Sequence, residues 1–173
     1  MTFGTFYHIT YRHHISLDDS IEATLALVDK SLSPFNPASN ISAVNENRDL
    51  HADAMLSEVF SLAKTVSRRT FGAFDITVAP LVNLWGFGFK NMDNVSPRSV
   101  DSLRAFVGID KVSLQDGIIT KTTPSLMLDC SAIAKGYGVD AVGRMLERNG
   151  VLSYMVEIGG EVRVRGCNPN GQP

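Results

Sequence analysis

An α+β fold, with small mixed sheets and helices packed on them, is what this sequence predicts, and three observations carry the prediction. Alternating segments that read as strands are interleaved with helical segments and hairpins, which indicates α+β or mixed α/β architecture. No internal repeat and no low-complexity tract interrupts the chain. Its 173 residues are the size of one domain with a real core, so residues 1–173 are expected to form a single domain.

Residues 5–12 (TFYHITYR) alternate, with Tyr7, Ile9 and Tyr11 on one face and Phe6, His8 and Thr10 on the other, and read as a strand. Ser16 then reads as an N-cap. With Asp18 and Asp19 behind it, the spacing of Leu17, Ile21, Leu25, Val28 and Leu32 predicts a helix to about Ser31, stopped by Pro34 and Pro37. Residues 33–47, rich in Ser, Asn and Pro, predict an ordered loop with a short turn of helix. Asp53 caps a second helix whose buried face is Leu56, Val59, Phe60, Ala63 and Val66. Arg68 and Arg69 suit its last turn and Gly72 ends it.

Residues 73–89 are weakly periodic and too apolar for a solvent loop; an isolated Trp85 there reads as core. Ser96-Pro97 opens a third helix, closed by Gly108 after Phe106-Val107. Val112–Leu114 and Ile118–Thr120 flank a Gln115-Asp116-Gly117 turn, a hairpin signal, and Ser125–Leu128 reads as a strand. Residues 131–149 predict a helix with Ile133, Tyr137, Val142, Met145 and Leu146 inward and Asn149-Gly150 as its stop. Strands follow at 151–158 and 161–165, broken by Gly159-Gly160.

Composition narrows the function classes. A 44% hydrophobic and 20% charged chain has the balance of a globular domain rather than a disordered or fibrous one. Sixteen Lys and Arg against eighteen Asp and Glu leave a net charge of -2, which gives no general footprint for nucleic acid or an anionic membrane; any anion must be held locally. No apolar run reaches the ~18 to 20 residues of a membrane helix. The first residues show neither the basic nor the apolar region of a signal peptide, so none is expected within them. Two cysteines, Cys130 and Cys167, are too few for a disulfide framework or a zinc site.

Two stretches carry chemistry. In residues 128–140 (LDCSAIAKGYGVD) a strand end feeds a helix start through small residues. Free N–H groups near Ser131 to Ala134 and the Lys135 ammonium, placed in the first turn, would face a phosphate. The alternative is that Asp129 or Ser131 is only a cap and the glycines serve helix packing. In residues 71–88, Asp75 stands among apolar and aromatic side chains and a buried carboxylate needs partners. Either backbone groups and Thr77 supply them, making Asp75 a structural hub, or a planar heterocycle does. The histidines lack ligand-type spacing and read as solvated. Cys130, beside Asp129 and near Lys135, reads as a small buried packing residue rather than a reactive thiol.

At these stretches the chain resembles the ApbE family of FAD:protein FMN transferases. The words that carry the resemblance are FGTFY at residues 3–7, LSPFNPASNISAVN at 32–45, GAFDITVAPLVNLWGFG at 72–88, LDCSAIAKGYGVD at 128–140 and VEIGGEVRVRGCNPNG at 156–171, in family order over nearly the whole chain. The resemblance implies a T-fold-related α+β enzyme that binds FAD and, with Mg2+, moves its FMN half onto a threonine or serine hydroxyl of an acceptor flavoprotein, such as a redox-complex subunit, releasing AMP. By the same resemblance Phe3, Phe35, Ala73, Phe74, Asp75, Asp129 and Lys135 contact FAD, and the Ala132 main-chain oxygen reaches the metal. Phe3 and Phe35 depart from the family's methionine and tyrosine; Phe35 can stack but has no hydroxyl.

The family continues past the GGE strand, and that part holds the aspartate and threonine that complete the Mg2+ site. The resemblance therefore implies a chain truncated at its C-terminus and inactive alone. It also implies a location in the bacterial cell envelope or periplasm, with cytosolic relatives known. No general base is assigned. Two rival readings stand beside transfer: an FAD-binding module without catalysis, and a pyrophosphatase that cuts FAD to FMN and AMP. With Asp75 placed against the flavin, Asp75→Ala is expected to weaken FAD binding at a modest loss of stability.

Overall fold

The computed structural model describes residues 4–88, 95–168 and 170–172. Five strands and six α-helices are present among them: β1 Tyr7–Tyr11, α1 Asp18–Leu32, α2 Asn40–Asn45, α3 Ala54–Arg69, α4 Ala79–Leu84, α5 Pro97–Arg104, β2 Val112–Gln115, β3 Ile118–Lys121, α6 Ser131–Arg148, β4 Tyr154–Ile158 and β5 Glu161–Arg165. The α+β class holds. The chain forms two compact units, residues 1–30 with 133–173 and residues 31–132.

In the first unit β4 lies between β1 and β5, antiparallel to both, with Tyr7 opposite Ile158 and Ile158 opposite Glu161. The period-two pattern fixes which face is buried. Tyr7, Ile9 and Tyr11 pack with Val156 and Ile158 against the apolar stripes of α1 and α6, among them Leu25 and Val142. The opposite face keeps Phe6, Val162 and Val164 exposed. Helix α1 starts one residue beyond the position that an N-cap at Ser16 implies. The Leu17 N–H donates to Tyr11 Oη (2.8 Å), which donates to Asp18 Oδ1 (3.2 Å), so the end of β1 anchors the helix start; the Ser16 hydroxyl still accepts from Asp18 N–H.

Strand β4 begins at Tyr154 rather than 151 because Val151 belongs to the helix terminus. Gly150 takes a left-handed φ of 79°, its N–H donates to Glu147 O and the Val151 N–H donates to Leu146 O, a two-bond termination that satisfies the last carbonyls of α6. Val151 is buried there.

Arg163 clasps α6 to this sheet. Its guanidinium donates to Asp140 Oδ1, Glu147 Oε1 and Tyr154 Oη, each at 2.9 Å, and the Tyr154 hydroxyl donates to Glu147 (2.6 Å). The arginine stem passes over Gly143, where an added Cβ would lie 2.7 Å from Arg163 Cδ and 2.9 Å from Tyr154 Oη. Gly143→Ala gains about 1 kcal/mol of helix propensity but overpacks a clamped side chain, which costs about 1 to 3 kcal/mol. The expected net result is a lower Tm. In an Arg163→Ala background only the Tyr154 Oη contact remains, so the loss caused by the same substitution is expected to shrink, and thermal melts of the four proteins check the difference.

The second unit carries α2 to α5 and the β2–β3 hairpin. Ser39 caps α2, Asp53 caps α3 by accepting from Leu56 N–H, and Ser96 and Ser99 form a reciprocal capping box on α5. Within α3 Val66 is only half-buried and Ser67 is buried instead. The hairpin turns through Asp116 and Gly117, both left-handed at φ 50° and 76°. Helix α5 ends at Arg104, before the predicted Phe106-Val107, and Gly108 follows at φ 141°.

No strand forms at Ser125–Leu128. Leu128 nevertheless has both backbone groups paired, by one side chain: its N–H donates to Asn45 Oδ1 (2.7 Å) and its carbonyl accepts from Asn45 Nδ2 (2.8 Å). A buried amide thus does the work of a neighbouring strand.

Candidate functional site

Helix α3 ends in two consecutive left-handed residues, Phe71 at φ 54° and Gly72 at 81°, which turn the chain into the segment that carries Asp75. Asp75 caps the short 3-10 turn Ile76–Val78. Its Oδ1 accepts from the N–H (2.8 Å) and hydroxyl (2.7 Å) of Thr77, and its Oδ2 accepts from Ile109 N–H (2.8 Å). The Thr77 hydroxyl in turn accepts from Gly108 N–H (2.7 Å). Of the two roles open from sequence, the hub is built. A carboxylate has about four acceptor positions, so one on Oδ2 is left for a ligand.

Ala73 is exposed, and Phe74 is half-buried with its N–H on Thr70 Oγ1. Phe35 is exposed; Phe3 lies outside the described residues. The expectation of a core Trp85 fails: the indole is 58% exposed, and it follows directly on the six-residue α4, whose Ala79 and Leu84 take the buried positions.

The Asp129 N–H donates to Ile76 O (2.7 Å), which brings the two sequence-predicted stretches together beside Asp75. Asn45, through Leu128, fixes the residue just before. Asp129 Oδ1 accepts from Ser131 N–H (2.8 Å) at the start of α6, and Ala132 is exposed in the first turn. Sequence reasoning missed Asn45, since an asparagine in a Ser/Asn/Pro-rich loop is an ordinary turn residue.

Lys135 belongs to the other unit and stands at the fifth residue of α6, one past the first turn. Its ammonium lies 3.0 Å from Glu161 Oε2 and donates a long bond (3.4 Å) to Gly159 O. Glu161 also went unrecognised; the Gly-Gly-Glu run before the last strand was the available signal.

No group of three or more His, Cys, Asp or Glu side chains that would hold a metal ion occurs among the described residues. The donors here therefore do not by themselves fit a divalent cation, which takes several oxygen ligands. His8 pairs with Glu157 and His51 with Asp49. Burial, with the Asp129 charge beside it, pushes the Cys130 thiol up to about 12, while Cys167 is exposed. Since the thiolate is the nucleophile, iodoacetamide at pH 8 is expected to label Cys167 alone in the folded chain and both cysteines in urea, as peptide mass spectrometry would read.

The fold over the whole chain is that of flavin transferases. It matches a structure described as flavin transferase ApbE from Vibrio cholerae with a TM-score of 0.94 at 35% identity, covering 100% of this chain and 60% of that one. An apo-form structure of Pseudomonas stutzeri flavinyl transferase ApbE matches at 0.92 and 33%, covering 100% and 61%. The family model described as ApbE family matches residues 3–173, and the chain belongs to that family. Relatives named FAD:protein FMN transferase from Vibrio cholerae and Haemophilus influenzae are each 37% identical over 99% of this chain and 55% of their own length. The chain thus spans about half the length of the curated relatives it matches. Among the described residues no helix is long and apolar enough to cross a membrane.

Proposed function

We propose that this chain takes part in moving the FMN half of FAD onto a threonine or serine hydroxyl of an acceptor flavoprotein, with release of AMP and in the presence of Mg2+. The observation that carries the reading is the match, over all of this chain, to structures described as flavin transferases. In the reaction the acceptor hydroxyl oxygen attacks the FMN phosphorus and forms the new phosphoester. The pyrophosphate P–O bond breaks, AMP departs with the electron pair, and the hydroxyl proton passes to a base.

What this chain's residues contribute in this reading is binding and orientation. Phe35, Ala73 and Phe74 offer apolar surface to the isoalloxazine, the remaining acceptor position on Asp75 Oδ2 takes a ring N–H, and Asp129 orients the ligand at the start of α6. Lys135 supplies positive charge to the pyrophosphate, where phosphoryl transfer depends on electrostatic stabilisation. A location in the bacterial cell envelope is part of the proposal, read by fractionation of the source cells.

The test incubates the chain with FAD, Mg2+ and an acceptor protein, following flavin fluorescence, AMP and acceptor mass. FAD binding is expected from the 173-residue chain. AMP with an FMN-sized mass gain on the acceptor is expected once the portion that the relatives carry beyond the match is supplied. Binding without AMP in both cases would make this a flavin-binding module, and AMP with free FMN in the absence of acceptor would make it a pyrophosphatase.

A further inference from the structure

Resting on the reading of Lys135 as a pyrophosphate-facing cation, we propose that Glu161 is its positioning residue and that the Gly159-Gly160-Glu161 turn is the socket that holds the ammonium ready for a diphosphate. The socket is built from backbone outward. Gly159 and Gly160 turn β4 into β5 at φ 57° and 98°. The Gly160 N–H donates to Glu157 Oε1 (2.6 Å), and Glu157 is tied to His8 on β1, so the turn is braced across the sheet.

Gly159 has to be glycine for a second reason. A Cβ there would lie 2.8 Å from Thr5 Cγ2 and 3.3 Å from Lys135 Cδ, so the lysine stem and Thr5 fill the space a side chain would need. Glu161, opposite Ile158 in the ladder, places Oε2 3.0 Å from the Lys135 Nζ. That oxygen is shielded from solvent and accepts no well-aligned hydrogen bond. At 3.0 Å the opposite charges hold the ammonium against the carboxylate. One of the three N–H groups goes to Gly159 O and a second side of the ammonium faces Glu161, which leaves the third N–H for an anion.

A lysine has a flexible four-carbon stem whose freedom is lost on binding, so a stem already held gives up less when the anion arrives. The carboxylate also repels an anion. In this proposal preorganisation outweighs that repulsion, and the sign of the change in ADP affinity in Glu161→Ala decides between them.

The experiment titrates ADP and riboflavin calorimetrically into the parent chain, Glu161→Ala, Glu161→Gln, Lys135→Met and the Glu161→Ala/Lys135→Met double variant. Loss of one immobilised side chain is expected to weaken ADP binding about fivefold in Glu161→Ala, less in Glu161→Gln, with riboflavin unchanged. In the Lys135→Met background Glu161→Ala is expected to change nothing. Independently of any ligand, Lys135 is expected to be acetylated faster in Glu161→Ala than in the parent, as mass spectrometry reads. Tighter ADP binding in Glu161→Ala would mean that the carboxylate competes with the anion. Equal losses for ADP and riboflavin, or an undiminished effect without Lys135, would make Glu161 scaffold or an independent contact. Each of these overturns the positioning role while ADP binding by the parent stands. A parent that binds no ADP, or a Lys135→Met variant that binds it as well as the parent, overturns the underlying reading of Lys135 instead.

Discussion

Asn45→Ala is expected to destabilise the chain by about 3 kcal/mol, because a buried donor and a buried acceptor lose their partner at once and each unsatisfied group costs about 1 to 3 kcal/mol. Asn45 is 5% exposed and Leu128 is fully buried, so water does not replace the amide without opening the structure. For a chain of this size each kcal/mol is worth about 2 to 4 °C, so Tm should fall by roughly 10 °C. Asn45→Asp keeps the volume and the acceptor for Leu128 N–H, but its carboxylate faces the Leu128 carbonyl and buries a charge. It is expected to lose at least as much at pH 7 and to recover part of the loss in acid as the carboxyl is protonated and donates in place of Nδ2. A melt of either variant within about 1 kcal/mol of the parent would show that the side-chain ladder is dispensable. Because Asp129 directly follows Leu128 and starts the approach to α6, FAD binding per folded molecule is also expected to weaken in both variants.

Local signals were legible where local chemistry decides. Asp53 and Ser96 cap the helices they were expected to cap, and Asp116-Gly117 makes its hairpin turn. The alternation of Tyr7, Ile9 and Tyr11 correctly gives the buried face of β1. What was hidden lay in partners distant in sequence. Ser125–Leu128 has strand-like composition, but its partner is a side chain 83 residues away, and no periodicity encodes that. The Lys135 ammonium sits against a glutamate 26 positions later, at the start of β5, a pairing that no local spacing encodes. Trp85 shows the limit of composition: hydrophobicity says that a segment is partly buried, while the geometry of the short α4 decides which side chains are.

The same distinction governs Asp75, whose neighbours in sequence left the two roles even. Asp75→Ala strips the acceptor from Thr77 N–H, the Thr77 hydroxyl and Ile109 N–H together. Hydrogen bonds to a charged group are worth about 1.5 to 3 kcal/mol each and are not additive within one network. A loss of about 3 kcal/mol is therefore expected, larger than a carboxylate facing only the flavin would give, and visible in urea or thermal unfolding with no ligand present. Asp75→Asn retains one acceptor oxygen and is expected to lose roughly half as much. FAD affinity, measured per folded molecule at a temperature where each variant is folded, tests the other role. In the proposed reading it falls in both variants, because the acceptor position left on Oδ2 is gone in each. If both unfold early but the folded fraction binds FAD as tightly as the parent, Asp75 serves the fold alone. If neither loses stability, the Thr77 and Ile109 groups have other partners and the hub is not what orders this turn.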